Sequence, residues 1–299
     1  ANIVERIRDY RDSIQFMWDQ TVRCANLGLT LNETIAAIRL PPYFKKHYTT
    51  QQFYGVVEHH IRQIYTGLFG WFDEDEANLF PTPAPHRAQK LISGFGGISR
   101  VRDEIDEALE TKDFRWAIEV SSWLVRSEVN ETGRADAGEA EDRKRLAKAL
   151  RGVAQSTTSA NIRNWCITRA MELDGTISLD RFRIHRFHKR EVLSRPASES
   201  LALLRVLLVP AKASEVEDEI IVTFSDGSSA GLALRHCVAV PSSGENATVS
   251  MTISHEHWAE ILGGKMTLSK AMAEGFIKTD DENRIIRFFS CFDLNTLNS

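Results

Sequence analysis

Long apolar runs are missing from this sequence, and so is any excess of positive charge. No segment reaches the ~18 consecutive apolar residues that a membrane-spanning helix needs. The 37 Lys and Arg residues are outnumbered by 41 Asp and Glu residues, which gives a net charge of −4. These absences argue against a membrane span and against non-specific binding to nucleic acid. The 299 residues, 42% of them hydrophobic, are typical of a globular chain of about two domains.

Cysteine is scarce and scattered. Cys24, Cys166, Cys237 and Cys291 contain no C-x-x-C pair, so they predict neither a disulfide framework nor a zinc finger, and we expect buried free thiols. The first residues show no basic segment followed by an apolar run and therefore hold no signal peptide. A chain that starts without Met can have lost one, which leaves the compartment open.

Two of the usual motifs of a self-sufficient hydrolase are also absent, namely the P-loop and H-E-x-x-H. The histidines form three local groups: His59-His60, His185-x-x-His188 and His255-x-His257. Adjacent side chains on a helix point about 100° apart and share a metal ion poorly. The second group lies among basic residues that oppose a dication, and the third follows Ser254, which predicts a helix start. We expect all three to be surface or first-turn histidines, and no metal site in this chain.

Through about residue 175 the apolar residues recur with a helical period. A long first helix is predicted to bury one face, which carries Ile7, Ile14, Met17, Trp18, Thr21 and Val22. Thr30 and Glu33 have the spacing of a capping box and predict the start of a second helix. A proline-rich connector is expected to be extended. Further helices are predicted at about residues 87–92, 98–111, 114–128, 140–150 and 159–173.

The segment FYGVVEHHIRQIY predicts a helix with one apolar stripe. The stripe consists of Val57, Ile61, Ile64, Tyr65 and Leu68. On a helical wheel His59 lies opposite this stripe, with Glu58 and His60 on its two flanks. His59 is therefore expected to point outward, to solvent or to whatever contacts this face.

From about residue 201 the period changes to 2, which is typical of strands. Strands are predicted in ALLRVLLV, in EIIVTFSDGSSAGLALRHCVAV and in ATVSMTIS, with a hairpin turn at Asp226-Gly227. Helices return at the end, where Ser254 and Thr267 are predicted caps. The predicted fold is an all-α domain over residues 1–175, a linker over residues 176–200 and a small α+β domain over residues 201–299.

Five ordered motifs in the helical half resemble the dimerisation domain of the alkyl sulfatases of the metallo-β-lactamase superfamily. They lie in RDSIQFMWDQTVRCANLGLT, FYGVVEHHIRQIY, GLFGWFDEDEANLFPTP, KDFRWAIEVSSWLV and NIRNWCITRAMEL. The stretch LGGKMTLSKAMAEGFIK resembles the sterol-carrier-protein-like domain that closes those enzymes. That resemblance implies an apolar cavity for the fatty chain of the substrate, for which Trp258, Met272 and Phe276 are the candidate contacts.

Full-length members of this family carry a zinc-binding domain with an H-x-H-x-D-H motif, which this chain lacks. A binuclear zinc site there activates water for attack on the sulfate ester. The resemblance thus implies that Ala1 follows shortly after such a domain. It also implies that this chain binds no cofactor and hydrolyses nothing by itself, so that any sulfuric ester hydrolase activity belongs to a full-length protein.

The family's Tyr-Gly-x-x-x-His-Asn motif falls on Tyr54 to His60, and its histidine is His59. In the family this histidine projects toward the active site of the catalytic domain, where an imidazole can hydrogen-bond a sulfate oxygen or protonate a leaving oxygen. Tyr54 and Asn78 are its candidate neighbours in substrate binding. The chain departs from the motif at Val56, Glu58 and His60, so it is either a divergent member with another substrate or one whose site has been lost.

Three interpretations remain open from the sequence. The first is the C-terminal portion of an alkyl sulfatase, which supplies a homodimer interface, an active-site histidine and a platform for the alkyl chain. The second is a stand-alone dimeric lipid-binding protein without catalytic activity, and the third is a helical scaffold whose β domain is packed solid. The resemblance makes a periplasmic or secreted location plausible, and a cytoplasmic one is equally compatible with the sequence.

Overall fold

A computed structural model describes residues 2–131, 133–182 and 187–294. The chain separates into two compact units, Ala1–Ser178 and Leu179–Ser299. The first is helical and the second is a small mixed sheet with helices, as the sequence predicts. Within the described residues no helix is both long enough and apolar enough to cross a membrane.

The described residues of the helical unit form eight α-helices. They are α1 (Ile3–Asn26), α2 (Leu31–Ala37), α3 (Val57–Phe69), α4 (Ala84–Gly94), α5 (Ile98–Glu110), α6 (Phe114–Arg126), α7 (Ala140–Ser156) and α8 (Ala160–Leu173). Short 3₁₀ turns lie at Phe44–Lys46, Tyr48–Thr50 and Glu76–Asn78. The capping box predicted at Thr30 is confirmed, because its hydroxyl accepts from Glu33 N at 3.2 Å while the Glu33 carboxylate accepts from Thr30 N at 2.8 Å.

The predicted buried face of α1 is wrong in part. Met17 and Thr21 are buried, but Ile7 is 64% exposed, and Ile14 and Trp18 are 44% exposed. The helix packs instead through a ridge that includes the small polar Ser13 and Thr21. Their hydroxyls donate to backbone carbonyls one turn earlier, at 2.7 and 2.6 Å, which satisfies them inside the core. An apolar stripe of α1 is consequently left uncovered.

The proline-rich connector is less extended than predicted. It contains the 3₁₀ turn Glu76–Asn78, and α4 begins within it at Ala84. Pro85 is compatible with this start, because the missing N–H of a proline is not needed in the first helical turn. The helices predicted near residues 98, 114, 140 and 159 are confirmed.

The second unit is built around one five-stranded sheet. Its strands are β1 (Asp218–Phe224), β2 (Ser229–Arg235), β3 (Val238–Ser242), β4 (Val249–Ile253) and β5 (Ile277–Thr279), in the order β3-β2-β1-β4-β5. β1 and β4 are parallel and the other neighbours are antiparallel. The predicted Asp226-Gly227 hairpin is confirmed, with Thr223 opposite Ser229. Pro241 lies in the edge strand β3.

Helices complete this unit. They are α9 (Lys189–Leu193), α10 (Ala197–Leu201), α11 (Pro210–Ala213), α12 (His255–Leu262), α13 (Leu268–Ala273) and α14 (Glu282–Ser290). The predicted caps Ser254 and Thr267 are confirmed, since their hydroxyls accept from His257 N and Lys270 N, both at 3.1 Å. The strand predicted in ALLRVLLV is wrong, because Ala202–Leu207 is a 3₁₀ helix. Leu201, Leu204 and Leu207 are buried there, and their spacing of three fits a helix of three residues per turn.

Candidate functional site

The N-terminus of α3 is organised by the loop that precedes it. The Gln52 side-chain oxygen accepts from Val57 N at 2.8 Å, and the Val56 carbonyl accepts from His59 N and His60 N, both at 3.0 Å. Val56 has no side chain that could cap the helix. His59 and His60 thus lie in the first turn, where the helix dipole favours an anion.

The N-terminus of α8 is bound to the same loop. Ala160 N donates to the Phe53 carbonyl at 2.7 Å, and the Thr158 hydroxyl donates to the Gln52 carbonyl at 3.2 Å. The buried hydroxyl of Ser159 donates to the Tyr54 carbonyl and also caps α8 by accepting from Ile162 N at 3.4 Å. One serine therefore fixes the loop to the helix.

The N-terminus of α6 reaches α3 through an ion pair. Arg115, the second residue of α6, donates two hydrogen bonds to the Glu58 carboxylate, at 2.7 and 3.1 Å. These bonds hold the pKa of Glu58 below its usual range. The Glu58 carboxylate is thereby paired with a cation next to His59.

The N-termini of α3 and α8 are thus bound to residues 52–57, and the first turn of α6 is linked to them through the Arg115 side chain. These helix ends belong to three of the motifs that carry the family resemblance, in FYGVVEHHIRQIY, KDFRW and NIRNW. The helix ends carry partial positive charge, and the guanidinium of Arg115 lies beside them in its pair with Glu58. Sequence reasoning gave Arg115 no role, although the unusual Glu58 signalled the need for a cationic partner. The arrangement is suited to an anion with several oxygen atoms.

His59 is exposed, as the helical wheel predicts, and Glu58 is half-buried. The apolar stripe is buried at Val57, Ile61 and Tyr65, whereas Leu68 is 42% exposed. The imidazole of His60 lies directly over Gly55, where a Cβ atom would come within 2.6 Å of its Cε1 and Nε2 atoms. The two histidines thus face different surroundings.

The other candidate residues of this unit are placed differently. Tyr54 adjoins the start of α3 with a side chain that is 72% exposed, and only its carbonyl is bound by Ser159. Asn78 lies in the connector beyond the opposite end of α3, where its Nδ2 donates to the Asp73 carboxylate at 2.8 Å. Tyr54 is therefore held near the start of α3 through its backbone, whereas Asn78 is bound at Asp73.

The candidates in the second unit do not share one cavity. Trp258 is fully buried in the core, Met272 is half-buried against it, and the ring of Phe276 stacks on His257 with centroids 3.8 Å apart. A cavity of about 410 Å³ is present, but it is lined by other residues, including Lys212, Ile261, Met266, Leu268 and Phe289.

No three His, Cys, Asp or Glu side chains within the described ranges are arranged to hold a metal ion. The pair His255-x-His257 begins α12. His185 of the remaining pair falls outside the residues that the structure describes.

Comparison with known proteins gives the same family from both halves. Residues 30–176 match the model of the alkyl sulfatase dimerisation domain, and residues 192–298 match the model of the alkyl sulfatase C-terminal domain. A linear primary-alkylsulfatase of a Pseudomonas species is 32% identical over 97% of this chain and 56% of its own length. An alkyl/aryl-sulfatase of Saccharomyces cerevisiae is 30% identical over 57% of this chain and 25% of its own length.

Among solved structures, the stereoselective inverting sec-alkylsulfatase Pisa1 from Pseudomonas sp. is similar to this chain with a TM-score of 0.76 at 24% identity. The similarity covers 96% of this chain and 44% of that one. It shows that the fold is shared. The chain spans about half the length, or less, of the relatives that it matches.

Proposed function

The chain carries the dimerisation and C-terminal domains of the alkyl sulfatase family, and on this basis we propose that it is the C-terminal portion of a zinc-dependent alkyl sulfatase. In this proposal it supplies the homodimer interface, one active-site histidine and a surface for the alkyl chain of a sulfate ester. The zinc ions belong to a metallo-β-lactamase-type domain of the same enzyme, where they would activate the attacking water.

The observation that carries this proposal is that hydrogen bonds and an ion pair link α8 and α6 to the loop and first turn of α3, which hold Tyr54, Glu58 and His59. A sulfate ester presents several anionic oxygens, which the dipoles of helix N-termini and cationic side chains stabilise. His59 points away from the core at this place. Its imidazole would hydrogen-bond a sulfate oxygen or protonate the leaving oxygen, with Tyr54 beside it.

The coding sequence upstream of Ala1 offers the first test. An in-frame H-x-H-x-D-H motif would join this chain to a zinc domain. A stop codon or a promoter there would contradict the proposal that the chain is part of a sulfatase.

The second test is the substitution His59→Ala in the chain assembled with its zinc domain. We expect turnover of an alkyl sulfate to fall by at least about a hundredfold, the usual effect of losing an acid or base. His86→Ala is the matched control, because His86 is also an exposed helical histidine but belongs to α4. An unchanged rate in His59→Ala would remove this residue from the mechanism.

The cavity of about 410 Å³ in the second unit also supports the alternative of a dimeric lipid-binding protein without catalytic activity. Both functions require a dimer, which light scattering at micromolar concentration would detect. They differ in turnover, because the lipid-binding protein would retain a fatty acid but hydrolyse no ester in any assembly.

A further inference from the structure

A second cavity lies in the helical unit, beside the candidate site. Its volume is about 400 Å³, and it is enclosed by α1, α3 and the segment 49–55. Its apolar walls come from Ile14, Met17, Trp18, Leu40, Val57 and Ile64. Such a volume is at the lower end of the range for small-molecule sites, which is roughly 300–1,000 Å³.

Four polar residues that line this cavity are engaged with the protein backbone. The Thr50 hydroxyl donates to the Phe44 carbonyl, and the Gln51 amide donates to the His47 carbonyl at 3.2 Å. Gln52 accepts from Val57 N, and Ser13 donates to the Tyr10 carbonyl. The polar atoms of these four side chains thus have partners in the protein, and the apolar walls make the cavity suitable for hydrocarbon.

The uncovered stripe of α1 forms one wall. Ile14 and Trp18 are both 44% exposed and line the cavity one turn apart. Met17 and Val57 lie deeper and are 8% and 9% exposed. An aliphatic chain in this cavity would cover apolar surface that is otherwise in contact with water.

His60 connects the cavity to the candidate site. Its ring lies over Gly55 and lines the cavity, whereas His59, the preceding residue, faces outward. Neighbouring side chains on a helix point about 100° apart. A molecule with its anionic group at His59 would therefore pass His60 on its way into the cavity.

We propose that this cavity binds the alkyl chain of the sulfate ester and that His60 lies where the chain enters. The choice of an alkyl sulfate as ligand rests on the proposed function. The ligand class is a short or medium unbranched alkyl sulfate, because the cavity is small and its free surface is apolar.

Binding to the 299-residue chain tests this directly, without the zinc domain. The six tryptophans can be labelled as 5-fluorotryptophan, and Trp18→Phe identifies the ¹⁹F signal of Trp18. We expect octyl sulfate, below its micelle concentration, to shift this signal along a saturable one-site curve. Inorganic sulfate should leave the signal in place, and an equal shift with inorganic sulfate would overturn the proposal.

Two variants alter the cavity in different ways. Gly55→Ala would push the His60 ring aside. Ile14→Glu would place a charge in the wall of the cavity without disturbing the packing of the core, because Ile14 is 44% exposed. We expect octyl sulfate to bind at least about tenfold more weakly to each, in line with the effect of altered contacts in an apolar pocket. Ser269→Phe is the control, because Ser269 lines the cavity of the second unit.

An unmoved Trp18 signal in the wild-type chain would overturn this assignment, as would equal affinity in Ile14→Glu or loss of the response in Ser269→Phe. The result is independent of the test of His59. If His59→Ala abolishes turnover while octyl sulfate leaves Trp18 unaffected, the proposed function stands and the chain site is elsewhere. If octyl sulfate shifts the Trp18 signal but His59→Ala has full activity, the alkyl-chain site stands and His59 is removed from the mechanism.

Discussion

Arg115 holds the carboxylate of Glu58 by two hydrogen bonds, at 2.7 and 3.1 Å, and so joins the first turn of α6 to the first turn of α3. The residues are 57 positions apart in the sequence. The pair leaves no net charge beside His59, where a free carboxylate would repel a sulfate. A divergent residue in the family motif is thus accommodated by a partner from a second motif.

Arg115→Met should weaken the binding of the anionic substrate. In the assembled enzyme we expect KM for an alkyl sulfate to rise roughly twofold to fivefold, because the pair is largely exposed and such interactions are screened by solvent. The pKa of Glu58 should return upward toward its usual range, which NMR titration of the side-chain carboxyl would show.

The double variant Arg115→Met, Glu58→Ser should recover KM, since it removes the freed carboxylate. Arg126→Met, at the other end of α6, is the control for the loss of one positive charge. A double variant as weak as Arg115→Met alone would mean that the arginine contacts the substrate itself.

Two glycines in helices should respond to alanine in opposite directions. A Cβ atom on Gly152 in α7 would lie 2.4 Å from the Phe114 ring, so Gly152→Ala should destabilise the helical unit by about 1–3 kcal/mol. Gly67 in α3 has open space at this position, and Gly67→Ala should stabilise by up to about 1 kcal/mol. Urea denaturation followed by circular dichroism would measure both, and a neutral Gly152→Ala would show that the α6–α7 contact is loosely packed.

Acid should destabilise the end of α8 through Asp174. Its carboxylate accepts from the Thr176 hydroxyl and from Arg151, and these bonds lower its pKa to about 2. Because the pKa is lower in the folded state, the stabilisation is complete above the unfolded value of about 4 and is lost as pH falls toward about 2.

Asp174→Asn should therefore be less stable than the wild type at neutral pH and approach it near pH 2. Thermal unfolding followed by circular dichroism across this range provides the comparison. A constant difference between the two proteins at every pH would exclude ionisation of Asp174 as the cause.

Local signals in the sequence predicted the local structure well. The caps at Thr30, Ser254 and Thr267 and the turn at Asp226-Gly227 depend on side chains within three residues of the backbone that they bind, so spacing alone reveals them. The strand prediction for Ala202–Leu207 was wrong because a run of leucine and valine fits a strand or a 3₁₀ helix equally well. Only the buried spacing of three distinguishes the two.

The candidate site depends on contacts that no local pattern contains. The helical wheel correctly placed His59 on the exposed face of α3. It could not show that the preceding loop binds Thr158, Ser159 and Ala160. Nor could periodicity show which of two adjacent faces of α1 would be covered. That choice is made by Ser13 and Thr21, which are polar and yet buried.

The proline in β3 bears on how copies of this protein associate. A proline is tolerated in an edge strand because its nitrogen faces away from the neighbouring strand. On that open side Pro241 offers no N–H donor to a strand of another molecule. The row of backbone hydrogen-bonding groups along the open side of β3 is therefore interrupted, which disfavours pairing with a strand of another molecule. A protein with a helical dimerisation domain is thus hindered from self-assembly through this edge of its sheet.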